Sequence, residues 1–165
     1  MNIMTEYGTL HHLNGQYALK FERFIPHHPK EVFRILINPT IFTKWYPFAT
    51  GEMDLKLGGK IAFDDGEGTT YHGIITELEA PYLFGFREVE DLISISLQEE
   101  DNGCRLIFTH TFNDSAWVVP TAAGWHRCLD VLSQLINGQP VEWKDNTAEL
   151  KEFYQKVVNG GNDGY

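Results

Sequence analysis

The chain has 165 residues, with 13 Lys and Arg against 23 Asp and Glu, a net charge of −10 and a pI near 5.0. That balance excludes a nucleic-acid surface and an anionic membrane surface, both of which need clustered cations. A composition of 42% hydrophobic and 22% charged residues predicts a globular chain. At roughly 150 residues per domain, that means one domain over 1–165, with its core at 17–158 and a flexible tail at 159–165.

The start, with Glu6, His11 and His12 and no apolar run, does not read as a signal peptide. No stretch approaches the ~18 apolar residues of a membrane span. Cys104 and Cys128 are far apart and lack Cys-x-x-Cys spacing, which predicts two reduced thiols in a cytoplasmic protein, with one long-range disulfide as the alternative.

Residues Gln16 to Phe24 alternate, with Tyr17, Leu19 and Phe21 on one face, and predict a half-buried strand. Pro29 opens a helix carrying Val32, Ile35 and Leu36, which Asn38-Pro39 stops. A second short helix is predicted from Thr40 to Trp45, ended by Pro47. Met53, Leu55 and Leu57 then alternate with charged residues and predict a strand that turns at Gly58-Gly59 into Lys60–Asp64. Further strands follow at Thr70–Leu78, Tyr82–Arg87, around Ile93–Leu97 and around Leu106–Phe112. Short turns between successive strands imply an antiparallel meander. A long helix from Pro120 to Asn137 carries Trp125, Leu129 and Leu132, and a last helix begins near Asn146. One curved antiparallel sheet with the long helix on its concave face satisfies this order, an α+β fold.

Pro29-x-x-Val32-Phe33, Asn38-Pro39, Trp45-Tyr46-Pro47, Asp54–Phe63, Gly73–Phe86 with Ala80-Pro81, Thr109-His110 and Ala123-Gly124-Trp125 follow one another in order. This series resembles the activator of heat-shock protein 90 ATPase homologue 1-like family, within the START-like or SRPBCC superfamily. The resemblance covers about Tyr17 to Val158 and implies the helix-grip fold of the birch-pollen allergen. The superfamily spans lipid carriers, cyclases, hydroxylase domains, resistance proteins and chaperone activators, so the fold does not choose among functions. The eukaryotic activator is similar only in its C-terminal domain. Phe33 and Phe86 stand where Trp is frequent in the family, and Trp117 is additional.

Seven histidines invite a metal reading, but His11-His12 and His27-His28 are adjacent pairs without a supporting ligand motif, so no metal is expected. Asp64-Asp65 and Glu99-Glu100-Asp101 fall at predicted hairpin turns, where charge is ordinary. No dinucleotide fingerprint, phosphate loop or nucleophile elbow is present, and no cofactor is expected. His110 shares parity with Leu106, Phe108 and Phe112 and so points to the concave side. Two readings stand for it: a core histidine bonded to a partner, or a ring that orients a ligand or acts as a general base. Arg23 shares the parity of Phe21, at the cavity's end or paired with a carboxylate.

Trp45, Phe63, Tyr71, Phe84, Phe86, Trp117 and Trp125 fill the core or, with His110, line a pocket beneath the long helix. The reading taken is a protein that binds a small apolar or aromatic molecule there, without defined catalytic machinery. The alternatives are a cyclase- or hydrolase-type enzyme using His110, and a surface that binds a protein partner or a second copy.

Overall fold

The structure, a computed structural model, describes residues 7–163. Glu6 at the start and the last two residues of the tail lie outside the described residues. The elements are β1 (Thr9–Leu13), β2 (Gln16–Ile25), α1 (Pro29–Leu36), α2 (Pro39–Trp45), β3 (Ala49–Met53) and β4 (Lys60–Asp64). They continue with β5 (Thr70–Glu79), β6 (Leu83–Glu88), β7 (Asp91–Glu100), β8 (Gly103–Phe112), α3 (Val118–Ile136) and α4 (Thr147–Asp163). The strands make one antiparallel sheet in the order β1-β2-β8-β7-β6-β5-β4-β3, curved around α3.

Local chemistry sets the helix boundaries. Asn38 caps α2 by accepting from the amides of Thr40 and Ile41, and Pro39 takes the first helical position. Pro47 keeps Tyr46 out of the helical region, which ends α2. Both short helices press Val32, Phe33, Leu36, Phe42 and Trp45 onto the core.

Two differences from the sequence reading have physical causes. The segment 54–57 is not a strand. Lys56 N–H bonds back to Asp54 O and Gly59 N–H to Lys56 O, each at 2.8 Å, so the chain coils tightly and leaves Leu57 63% exposed. A Cβ on Gly59 would stand 1.9 Å from Asp54 O, which is why glycine closes this turn. The second difference is β1, a strand that the alternation pattern does not predict. It pairs with β2 through a two-residue turn in which Asn14 and Gly15 both adopt positive φ, 49° and 82°. At the other end, α4 runs from Thr147 to Asp163.

On the concave face, α3 buries Ala122, Ala123, Trp125, Leu129 and Leu132 against Phe21, Phe108 and Tyr46. The Trp125 ring lies 4.8 Å from Phe108 and 5.1 Å from Tyr46, centroid to centroid. Leu150 and Tyr154 dock α4 on the same core, and the Tyr154 hydroxyl accepts from the buried Gly8 amide at 2.8 Å. Cys104 and Cys128 are separate, buried thiols. Among the described residues no helix is long and apolar enough to cross a membrane.

Candidate functional site

The predicted parity of β8 is what the structure shows: Leu106, Phe108, His110 and Phe112 are buried on the concave side. His110 sits between two partners. Trp125 Nε1 donates to His110 Nδ1 at 2.8 Å, and His110 Nε2 lies 3.0 Å from Asp91 Oδ2. An indole nitrogen can only donate, so Nδ1 carries the lone pair, Nε2 carries the proton, and that proton goes to Asp91. Neither nitrogen is left to take a proton from a substrate.

Beside this triad opens a cavity of about 290 Å³ between α3 and the turn joining β6 to β7. Its helical wall is Thr121, Gly124, Trp125 and Cys128, one stripe of α3 at spacings of three and four. The opposite wall is Tyr46, Pro47 and Phe48 together with Glu88, Val89 and Asp91. Two apolar residues stand at the rim in left-handed backbone, Phe48 at φ 69° and Val89 at φ 57°, with 49% and 72% of their surface exposed. A β-branched residue in that region is strained, and such strain concentrates at binding sites.

Glu88 is held from both sides: the Tyr46 hydroxyl donates to Oε1, and the Tyr71 hydroxyl to Oε2 at 2.7 Å. Burial first, and the Glu88 charge second, push the Tyr46 phenol far above its ordinary range. Burial and the bond to Glu88 likewise raise Tyr71. Both phenols therefore stay protonated donors at neutral pH. Burial pushes the Cys128 thiol up to about 12, so this residue is no thiolate nucleophile.

A second cavity of about 330 Å³ adjoins the first and shares Asp91, His110 and Thr121 with it. Glu90, Phe112, Asn113, Asp114 and Trp117 complete its lining. Trp117 is 61% exposed.

The residues singled out in the sequence thus separate. His110 and Trp125 line the first cavity, Trp117 lines the second, and Tyr71 stands behind the first as a donor to Glu88. Trp45, Phe63, Phe84 and Phe86 are buried in the core and line neither cavity. Phe48, Glu88, Val89, Asp91 and Gly124 were not singled out. The signal for three of them, Glu88, Val89 and Asp91, is Val89-Glu90 between two carboxylates, a two-residue turn without the glycine such turns favour.

Other groups weighed for chemistry have structural duties. Asp64 and Asp65 accept backbone amides of their own turn, and Glu100 grips Arg105 through two bonds. Arg23 is buried and paired with Asp130 at 2.8 Å. Among the described residues, no three His, Cys, Asp or Glu side chains converge as a metal-binding set.

A long helix gripped by one curved antiparallel sheet, with a cavity at the helix's flank, defines a helix-grip protein. Residues 26–137 match the model of the activator of Hsp90 ATPase homolog 1-like protein family, and the chain belongs to that family. Among solved structures it is similar to EF2215 from Enterococcus faecalis, a conserved protein of unknown function. The identity there is 19% over 93% of this chain and 91% of that one, with a TM-score of 0.81. CalU16 from Micromonospora echinospora follows with 19% identity, 92% and 96% coverage and a TM-score of 0.71. The Aha1 dimer from Colwellia psychrerythraea matches at 17% identity over 72% of this chain and 95% of that one, with a TM-score of 0.60. At these identities the structural likeness establishes the fold alone. No curated protein matches the chain.

Proposed function

We propose that this protein binds a small molecule with an apolar or aromatic body in the cavity between α3 and the β6–β7 turn. The observation that carries the reading is Gly124. It lies near the middle of a 19-residue helix, and a Cβ built on it meets nothing within 4 Å. Glycine inside a helix costs about 0.5–1 kcal/mol relative to alanine. Packing does not require it here, and its absent side chain keeps the mouth of the cavity open. The exposed Phe48 and Val89 supply an apolar rim that burial against a ligand would stabilise. The engagement of both His110 nitrogens favours binding over acid–base chemistry. We take the protein to act in the cytoplasm, a reading supported by its two separate thiols.

The test uses the neutral fluorophore N-phenyl-1-naphthylamine. Wild type should bind it saturably at ~1–100 μM, with quenching of Trp125 emission. Gly124→Leu, whose side chain would stand in the mouth, should weaken binding about tenfold or more and leave the urea midpoint close to wild type. Gly124→Ala should bind the probe and unfold at a higher midpoint, by ~0.5–1 kcal/mol. A folded wild type with no saturable binding would overturn the reading and favour a surface that binds a protein partner.

A further inference from the structure

We infer that the ligand of this site is an organic cation, a protonated amine or quaternary ammonium carried on an apolar body. The inference rests on the binding reading above and adds the charge of what is bound. The two adjoining cavities share Asp91, His110 and Thr121, so one molecule can occupy both. The first is walled mainly by Tyr46, Phe48, Val89 and Trp125 and suits the apolar body. The second brings Glu90 and Asp114 to the same wall as Asp91, with the indole of Trp117 beside them. Among the described residues, no Lys or Arg lines either cavity. A carboxylate or phosphate on the ligand would meet only like charge here, whereas an ammonium meets carboxylates and an aromatic face suited to cation–π contact.

Three of the carboxylates are also fixed by hydrogen bonds. Glu88 takes two phenolic hydroxyls, Asp91 takes the Nε2–H of His110, and Asp114 takes the Ala116 amide at 2.9 Å. These bonds hold the three carboxylates in fixed positions on the cavity walls. The same groups do not converge as a coordination set for a metal ion, as noted above. Charge spread around a cavity of this size fits a bulky ammonium, not a bare ion.

Three probes of one shape separate charge from fit: naphthalen-1-ylmethylammonium, naphthalen-1-ylmethanol and naphthalen-1-ylacetate, titrated calorimetrically at low and high sodium chloride. The ammonium should bind about tenfold tighter than the alcohol, and the carboxylate weakest of the three. Raising the salt should narrow the gap. In the triple variant Glu90→Gln, Asp91→Asn, Asp114→Asn, which leaves Glu88 as the one lining carboxylate, the ratio of ammonium to alcohol affinity should shrink several-fold. Asparagine can still accept from His110 and still cap at 114, so the variant is conservative. Should it nevertheless unfold, Glu90→Gln alone and the salt series decide, the single variant reducing the preference in part. Equal binding of ammonium and alcohol by wild type would overturn the charge inference and leave the cavity reading intact. Failure of all three probes, and of N-phenyl-1-naphthylamine, would overturn both.

Discussion

Trp125 and His110 depend on each other for a hydrogen bond that neither can replace inside the core. His110→Phe keeps the ring but leaves the buried Trp125 N–H without its acceptor. A loss of ~1–3 kcal/mol in urea-induced unfolding is expected, the usual cost of an orphaned buried donor. Binding of a neutral apolar probe should change little, because the ring's volume is kept. An unmoved unfolding midpoint would mean that the indole finds another acceptor. A collapse of neutral-probe binding in a folded variant would assign His110 to ligand contact. Trp45 offers the contrast: its buried N–H has no hydrogen-bond partner among the described residues, so Trp45→Phe forfeits packing volume and none of their hydrogen bonds.

Among the described residues, α4 is joined to the rest of the molecule by apolar contacts and by the Tyr154 hydroxyl. Tyr154 accepts from Gly8 N–H, and its hydroxyl lies within hydrogen-bond distance, 3.1 Å, of His126 Nδ1. Tyr154→Phe leaves the Gly8 amide buried and unpaired. A fall of ~1–3 kcal/mol in unfolding free energy is expected, with amide exchange rising first in 7–13 and in α4. Exchange that stays uniform across the chain would separate this hydroxyl from the docking of the helix.

The element scale also shows what can be read from residues alone. Period-two alternation in β2 and β5 through β8, and the Pro29 and Asn38-Pro39 signals, were plain because one face of each element is buried. At 54–57 the same alternation misled. No neighbouring strand covers those residues, and periodicity alone cannot tell a strand from a coil that happens to alternate. The β1 hairpin was legible in Asn14-Gly15, a strong two-residue turn signal, and was missed for want of a long apolar run around it. The cavities were legible in His110, Trp117 and Trp125 and hardly beyond them. The other wall of the first comes from two turns, and turn residues carry no period that tells which way they face.

For the molecule as a whole, His126 sets one pH response. Burial lowers its pKa from 6.5 to about 4, Arg23 adds to that, and Asp130 opposes it. Between those two values the unfolded chain takes up a proton that the folded chain refuses, so this residue makes stability fall as the pH drops from 6.5 towards 4. Above 6.5 it contributes no slope. Urea midpoints measured from pH 7.5 to 4.5 should fall less steeply for His126→Gln than for wild type. Parallel curves would show that His126 is not the group responsible.

The strand order carries a consequence for how copies of this chain behave when crowded. An open sheet has two edges, here β1 and β3, each of five residues, while the four ten-residue strands β2, β5, β7 and β8 all lie inside. β3 is further broken by a register shift against β4, with Gly51 at a positive φ of 91°. Short or irregular edges offer few consecutive free amides and carbonyls to a second sheet. At a net charge of −10, two copies approaching edge to edge also repel. Placing the long strands inside thus guards the native protein against fibrillar stacking, and a pathway to fibrils would have to begin by peeling off β1 or β3.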